Sequence, residues 1–476
     1  VQLQVSQIQA STDTASRLQI TLSPYDGPPD FSRLHRPASI DPVSVADLLR
    51  NGFVYPPHSI FEEVKLATFG FDPRDDMHDA PEFRFGFRDI GKRALPDDTG
   101  TDWVAAYRRE LCEAVDRTCA GMSSPWLLQS GGKDSTALAM AAAEVRPDMT
   151  CLTYKGGMEE DELASAQRVA RTLGLRHEFL GCDPGRAYDR YLAAIDRMPL
   201  LTADFALLSY VDLATAIAGA GGDGIVDGMG SDNYFGIPVE RRQRILGWLA
   251  RGARLPAAIT ELPLLERSFW TCYLLSTLQM APAEREFPGS RFSDTEVDAL
   301  LGHEIASRSR ARLEPFRHEL ATAGSRDEHF AIAITVAGSG GGFAKGMYTA
   351  EALSLQVAYP HCDARLSDWV YRCVPSELLL DPATRTSKVL MRRYIATRFK
   401  DLPYVARKGS FRFALCGLAR HRFDQVHAVA EQVRDTVPGA VAWLERNRRR
   451  FDNKYHASKF YLLAVVLPWL QARARG

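Results

Sequence analysis

Paired cysteines are absent from this sequence. The eight cysteines, at positions 112, 119, 151, 182, 272, 362, 373 and 416, are scattered with no C-x-x-C among them. That excludes a zinc ribbon and a disulfide framework, and makes a reducing cytoplasm the expected compartment. An excess of either charge is also missing: 58 Lys and Arg face 59 Asp and Glu, a net of −1. Such a balance leaves no electrostatic footprint for nucleic acid or an anionic membrane, and a small-molecule or peptide substrate fits it better. Long apolar runs are lacking too. The nearest, YLLAVVLPWL over 461–470, is interrupted by Pro468 and falls well short of the ~20 residues that span a bilayer, so a buried helix is expected there. The opening VQLQVSQIQASTDTAS has no basic stretch followed by an apolar core, so no secretory leader is expected. Internal repeats and low-complexity tracts are not evident.

What is present reads as a folded, multidomain chain. Its 476 residues exceed one core's usual size, and 46% hydrophobic with 25% charged residues is ordinary for a globular protein. Residues 1–97 are rich in Pro and Asp, carry short β-like runs (RLQITL, EFRFGF) and end in the turn-rich ALPDDTGT, which predicts a small β-containing domain and a linker. From 98 to 476 a second domain is expected. It opens with the helical WVAAYRRELCEAVDRTCA, then alternates strands (PWLLQ, TCLTYKG, RHEFLG, GIV) with amphipathic helices. Alternation of that kind predicts an α/β fold with a doubly wound parallel sheet. After about residue 240 the pattern is mostly helical, interrupted by GSGGGFAKG, which predicts a helical C-terminal extension.

The sharpest local signal is Ser130-Gly131-Gly132-Lys133-Asp134-Ser135-Thr136, set between an apolar strand and a helix. Glycines there let backbone amides approach a phosphate, the helix N-terminus adds partial positive charge, and the serine hydroxyls add donors. The lysine lies inside the loop and the glycine spacing is not that of a Walker loop. Asp134 beside phosphates is tolerable only with a cation between, so it is a candidate Mg²⁺ ligand. The bland alternative is a helix-capping turn with Ser130 as the cap. A second glycine-rich turn, Asp227-Gly228-Met229-Gly230-Ser231-Asp232-Asn233, follows GIV. Two carboxylates on one Mg²⁺ would offset the charge gathering on a leaving pyrophosphate. Asp161 and Glu162 open a helix, where the macrodipole favours acidic groups anyway.

The SGGKDS run resembles the PP-loop of enzymes that split ATP between its α and β phosphates. The second turn resembles the S-G-x-G-x-D-E-L-F-G turn of asparagine synthetases. Three further segments resemble that family: Ser354-Leu355-Gln356 through Tyr359-Pro360-His361-Cys362-Asp363 is similar to S-L-E-x-R-x-P-F-L-D, Arg385-Thr386-Ser387-Lys388 to G-R-T-K, and Ala406-Arg407-Lys408-Gly409 to R-P-K-x-G. Departures are visible, with Gln356 in place of the usual glutamate and Ala358 in place of the arginine. The resemblance implies a PP-loop, HUP-like sheet, and an ATP-dependent ligase that adenylates a carboxylate and hands it to an amine or to ammonia. It implies that Ser130, Gly131, Gly132, Asp134, Ser135, Thr136, Gly228, Gly230 and Ser231 bind ATP, and that Asp134 and Asp232 hold Mg²⁺. Lys388 would contact phosphates and Lys408 the reacting centre. Adenine is expected against the strands carrying Leu127, Leu128 and Leu152 to Tyr154.

Asparagine synthetases begin with a cysteine that hydrolyses glutamine. This sequence begins Val1-Gln2 and has no cysteine before Cys112, so the expectation is that it does not hydrolyse glutamine itself, and that residues 1–97 are a degenerate remnant of a glutaminase-like domain. The chain is then closest in kind to β-lactam synthetases and lasso-peptide cyclases, with a substrate amine, or ammonia from a separate glutaminase, as the nucleophile. Met229 stands where β-lactam synthetases place a tyrosine and asparagine synthetases a glutamate. Lys133, Tyr234 and Glu351 are the nearby candidates in sequence for the missing amine-activating group. Two rival readings are a tRNA-modifying or sulfur-transferring PP-loop enzyme and a catalytically inactive binding protein. The first calls for a basic face or a reactive cysteine pair, and neither is visible.

Overall fold

The protein is described here by a computed structural model, which describes residues 18–25, 27–34, 39–68, 71–72, 82–83, 100–156, 160–236, 268–280, 284, 292–324, 332–333, 336–381, 383–402 and 413–474. The domain boundary expected at residue 97 and the loop with Lys408 lie outside the described residues.

The first layer is a small sheet. Strand β1 (Leu18–Leu22) runs into helix α1 (Pro42–Asn51) and returns as β2 (Val64–Thr68), paired parallel to β1; two short strands, β3 (Phe71–Asp72) and β4 (Glu82–Phe83), extend the sheet antiparallel. Helix α1 starts where Asp41 accepts from Val43 N and Pro42 presets the first turn, and it stops at Gly52 in the left-handed region.

The second sheet carries the functional interest. Helix α2 (Trp103–Thr118) leads into β5 (Pro125–Leu128), α3 (Lys133–Val145), β6 (Thr150–Lys155), α4 (Glu160–Leu173), β7 (Arg176–Gly181), α5 (Pro184–Ala194), α6 (Leu207–Gly219), β8 (Gly224–Val226) and the single-turn α7 (Asp232–Phe235). Farther along, α8 (Ala344–Leu353) feeds β9 (Gln356–Ala358), and α9 (Val389–Ala396), α10 (Leu415–Gln432) and α11 (Lys454–Ala474) follow. The strands lie in the order β7-β6-β5-β8-β9, all parallel. Both faces are covered, as a doubly wound sheet requires. Period-two alternation sorts the strands' side chains: Trp126, Leu152 and Ile225 pack with Tyr210, Leu213 and Ile217 of α6, while Leu127, Cys151 and Val226 pack with α2 and α3.

Chain order reverses between β5 and β8. Crevices at such a reversal, beyond the strand C-termini, are where open α/β sheets bind ligands. Here the turn after β5 carries Asp134 and the turn after β8 carries Asp232.

Two expectations are refined. GSGGGFAKG is not a break in the helical pattern: Gly338–Phe343 winds as a wide π-turn that passes directly into α8. The wide turn lets the chain touch Phe53 and Val54, because a Cβ on Gly340 would sit 2.7 Å from the Phe53 ring and 2.9 Å from Val54 O. The run 461–470 is a buried helix as expected, within α11, and its core includes the N-terminal layer: Ile20, Leu48 and Val64 share one apolar cluster with Phe460, Leu463 and Leu467. Phe61 packs on Trp469 with ring centres 5.6 Å apart.

Candidate active site

The phosphate turn is tied to itself. Gly132, not Ser130, is the residue before α3, and it makes no side-chain cap. Ser130 instead accepts on Oγ from Gly132 N at 3.3 Å, and its own N–H donates to Ser135 Oγ at 3.2 Å. Gly131 takes φ +70°, and a Cβ there would lie 2.9 to 3.1 Å from Ser165, Ala166 and Glu162 of α4. Only glycine meets both conditions, which is the local reason for its place in the loop. Thr136 is fully buried and its hydroxyl has no hydrogen-bond partner, so it sits behind the loop and not on its surface.

The second turn lies against the first. A Cβ on Gly228 would be 3.3 Å from Ser135 N, and Gly230 takes φ +107° where a Cβ would strike Cys362 Sγ at 2.2 Å. Ser231 donates to Asp134 Oδ1 at 2.6 Å. Lys388, only 2% exposed, places its ammonium 2.6 Å from Asp134 Oδ1, 2.6 Å from Asp232 Oδ1 and 2.7 Å from Ser231 Oγ. The two carboxylate oxygens are therefore no farther apart than two such contacts laid end to end. Burial works against the charge on both partners, but attraction wins. The Asp134 carboxyl is held well below the usual range by the Lys388 charge together with hydrogen bonds from Lys388 and Ser231. The Lys388 ammonium is held above its ordinary value by Asp134 and Asp232. Lys388 reaches this position from a left-handed backbone, φ +59°, at the start of α9. Non-glycine residues pay about 1–3 kcal/mol for sparsely populated backbone regions.

Around this core, Lys133 is half-buried and its pKa is pulled down by burial and by the neighbouring Lys388. Arg392 is likewise lowered by burial. Leu128 is partly buried at the end of β5, next to β6. The Tyr154 side chain is packed into the sheet core with Trp126 and Leu152, so what that residue offers a base is backbone. Asp161 and Glu162 fall in the first turn of α4.

Two carboxylates from separate turns, partly open at the strand ends, suit a hard divalent cation. Mg²⁺ commonly takes one or two protein carboxylates and completes its shell with phosphate oxygens and water. No group of three or more acidic, His or Cys side chains among the described residues is placed to hold a metal ion, so phosphate and water would supply the remaining ligands.

A family model for asparagine synthase matches residues 106–455. The chain belongs to the asparagine synthase family. That family is one of ATP-dependent, amide-forming ligases, which use ATP and normally Mg²⁺. No curated protein matches the sequence. Solved structures similar to it include two synthetases. The NH3-dependent NAD synthetase of Campylobacter jejuni subsp. jejuni NCTC 11168, in complex with nitrate ion, is 16% identical over 28% of this chain and 60% of its own, with a TM-score of 0.21. The NMN synthetase of Francisella tularensis is 15% identical over 46% of this chain and 94% of its own, with a TM-score of 0.22. Scores that low bear on nothing further. No helix of the described residues is long and apolar enough to cross a membrane.

Within the family frame, the surroundings of Met229 were not legible beforehand. Of the three candidates there, Tyr234 is buried with its hydroxyl 3.2 Å from His361 Nδ1. Glu351 is exposed and lines a cavity of about 1160 Å³ with Arg197 and Arg473. Lys133 belongs to the phosphate turn itself, at the start of α3. The side chain that does approach Met229 is Lys345, from the first turn of α8. Its ammonium lies 3.8 Å from Met229 Sδ, donates to Gly342 O at 3.0 Å, and stands 3.7 Å from Asp204 Oδ1. Asp227, buried and raised in pKa by that burial despite Lys345 nearby, accepts from Met229 N. Lys345 was visible in the sequence only as part of the glycine-rich GFAKG, with nothing to single it out.

Proposed function

We propose that this protein adenylates a substrate carboxylate with ATP and transfers the acyl group to an amine or ammonia, forming an amide. The carrying observation is the Lys388 ammonium held between Asp134 and Asp232 at the sheet's reversal point. In this reading a carboxylate oxygen of the substrate attacks the α-phosphorus, the bond to the bridging oxygen breaks, and pyrophosphate leaves. The nitrogen nucleophile then attacks the acyl carbonyl, AMP departs, and the nitrogen loses its proton. Mg²⁺, when bound, neutralises charge on the departing pyrophosphate.

The chain's own groups divide the work. Backbone amides of Gly131 and Gly132, with Ser130 and Ser135, cradle phosphate at the N-terminus of α3. Asp134 and Asp232 hold the cation. Lys388 adds a compact positive charge that is already in place before charge develops, which is the form of electrostatic help worth most in catalysis. Lys345, Asp204 and Met229 line the neighbouring side, where the acyl or amine substrate would lie. Lys408 is assigned to the reacting carbonyl through the family motif. The nucleophile is an amine of the substrate or ammonia, and the carboxylate belongs to a small molecule or peptide.

The test is product analysis. Purified protein with ATP and a panel of carboxylic acids and peptides should release AMP and pyrophosphate in step with amide. Formation of ADP and phosphate instead, or undiminished turnover by Asp134→Asn, would overturn the reading.

A further inference from the structure

The two acidic turns are joined from behind by one imidazole. His361 lies in the short turn Pro360–Cys362 after β9, is fully buried, and replaces the phenylalanine of the family's P-F-L-D run. Its Nε2 is 3.3 Å from the carbonyl oxygen of Asp134, and its Nδ1 is 3.2 Å from the hydroxyl of Tyr234, two residues past Asp232. A carbonyl only accepts, so Nε2 carries a proton, and in the neutral imidazole Nδ1 accepts from the Tyr234 hydroxyl. The tautomer is thereby set, and one uninterrupted run of hydrogen bonds crosses from α7 to the first turn of α3.

The same segment is clamped elsewhere. Asp227 N donates to Ala358 O at 2.9 Å, and Gly230 meets Cys362 and His361 so closely that a Cβ would not fit. Tyr371 donates to Asn233 O at 2.6 Å from the helix Ala364–Cys373. Phenylalanine could fill the volume at 361 but could make neither hydrogen bond.

We propose that His361 is a positioning residue, a bar of fixed length between the Asp134 turn and the Asp232 turn that sets their separation and so the fit of the site to a phosphate-bound divalent cation. This rests on the proposed nucleotide site. Hydrogen-bonding groups one step behind metal ligands commonly alter metal affinity by about 10- to 100-fold.

The experiment is calorimetric titration of α,β-methylene-ATP, which cannot be split between those phosphates, in the presence of Mg²⁺ or Ca²⁺. Wild type, His361→Phe, His361→Gln and Tyr234→Phe are compared, with thermal melts to confirm folding. His361→Phe should weaken Mg²⁺-dependent binding by ~10-fold or more and narrow the preference for Mg²⁺ over Ca²⁺. His361→Gln, whose amide restores an N–H donor, should recover most of the loss. Tyr234→Phe, which removes one hydrogen bond, should cost about threefold and carries the test if His361→Phe does not fold. Wild-type affinity and selectivity in His361→Phe, or in Tyr234→Phe when that variant stands alone, would overturn the inference. So would a His361→Gln protein as weak as His361→Phe. Absence of cation-dependent binding in wild type itself would instead sink the nucleotide site, and with it the proposed function.

Discussion

The two sides of the crevice are built differently. On the phosphate side, Lys388, Asp134, Asp232 and Ser231 meet at 2.6 to 2.7 Å, each contact made by groups of matched charge or hydrogen-bonding type. On the other side, Lys345 makes one ordinary hydrogen bond, to a backbone carbonyl, and otherwise faces a thioether at 3.8 Å and a carboxylate at 3.7 Å. A dense cluster is suited to a ligand part that does not vary. A buried ammonium held by longer, weaker contacts is suited to a part that must bring its own acceptor. On the proposed function, common chemistry falls to one wall and substrate choice to the other.

The largest expected effect breaks the dense wall. Lys388→Ala should lower kcat by about 10²- to 10³-fold, the range for loss of one preorganised charge-stabilising group, while a thermal melt shows the fold intact. Turnover within about tenfold of wild type would remove Lys388 from the chemistry. Lys408→Ala tests the family assignment of a residue outside the described ones. It should reduce kcat by about 10²-fold with the KM for ATP nearly unchanged, because the contact would form as charge develops on the carbonyl.

The open wall should answer in another parameter. Lys345→Met, close in length to lysine, should raise the KM for the acid or amine substrate by ~10-fold, the scale of one charge-assisted hydrogen bond, and leave that for ATP alone. If the ATP KM moves and the other does not, the division between the walls is wrong.

The smallest effect is a control far from both. His456 is buried with neither ring nitrogen partnered, and burial first, then Lys459 and Arg450, push its pKa from 6.5 down to about 4. The unfolded chain therefore binds a proton that the folded chain refuses, and stability contributed above pH 6.5 is lost as pH falls toward 4. The contribution is at most about 3 kcal/mol. His456→Gln should flatten the fall of the thermal midpoint across that window without altering kcat at neutral pH. An unchanged pH profile would show that His456 is not the group responsible.

How much of this was legible follows from where the chemistry lies along the chain. Ser130 to Thr136 is contiguous, and its glycines and serines act through local backbone geometry, so the phosphate turn could be read directly. Asp232 and Lys388 were readable because each stands in its own motif. Lys345 was not, since its meaning comes from Asp204 and Met229, which lie in separate segments and adjoin it only in space. His361 stood in the quoted motif as a departure from phenylalanine, but its two hydrogen bonds depend on the stacking of α3 and α7. The small N-terminal sheet was foreseen. That it packs on α11 was not, because an apolar stripe does not say which distant stripe covers it.

That last contact bears on how the protein is made. Tyr461 of α11 accepts from Leu208 N and donates to Asp204 O at 2.7 Å, and the same helix packs on α1 and shares an apolar cluster with β1 and β2. A ribosome adding ~5–20 residues per second delivers α11 tens of seconds after α1. During that interval the N-terminal layer lacks the part of its apolar cover that α11 supplies, and the backbone of Asp204 lacks its buttress. The Asp204 backbone is thus buttressed late, after the phosphate turn's own ties between Ser130 and Ser135 are within reach.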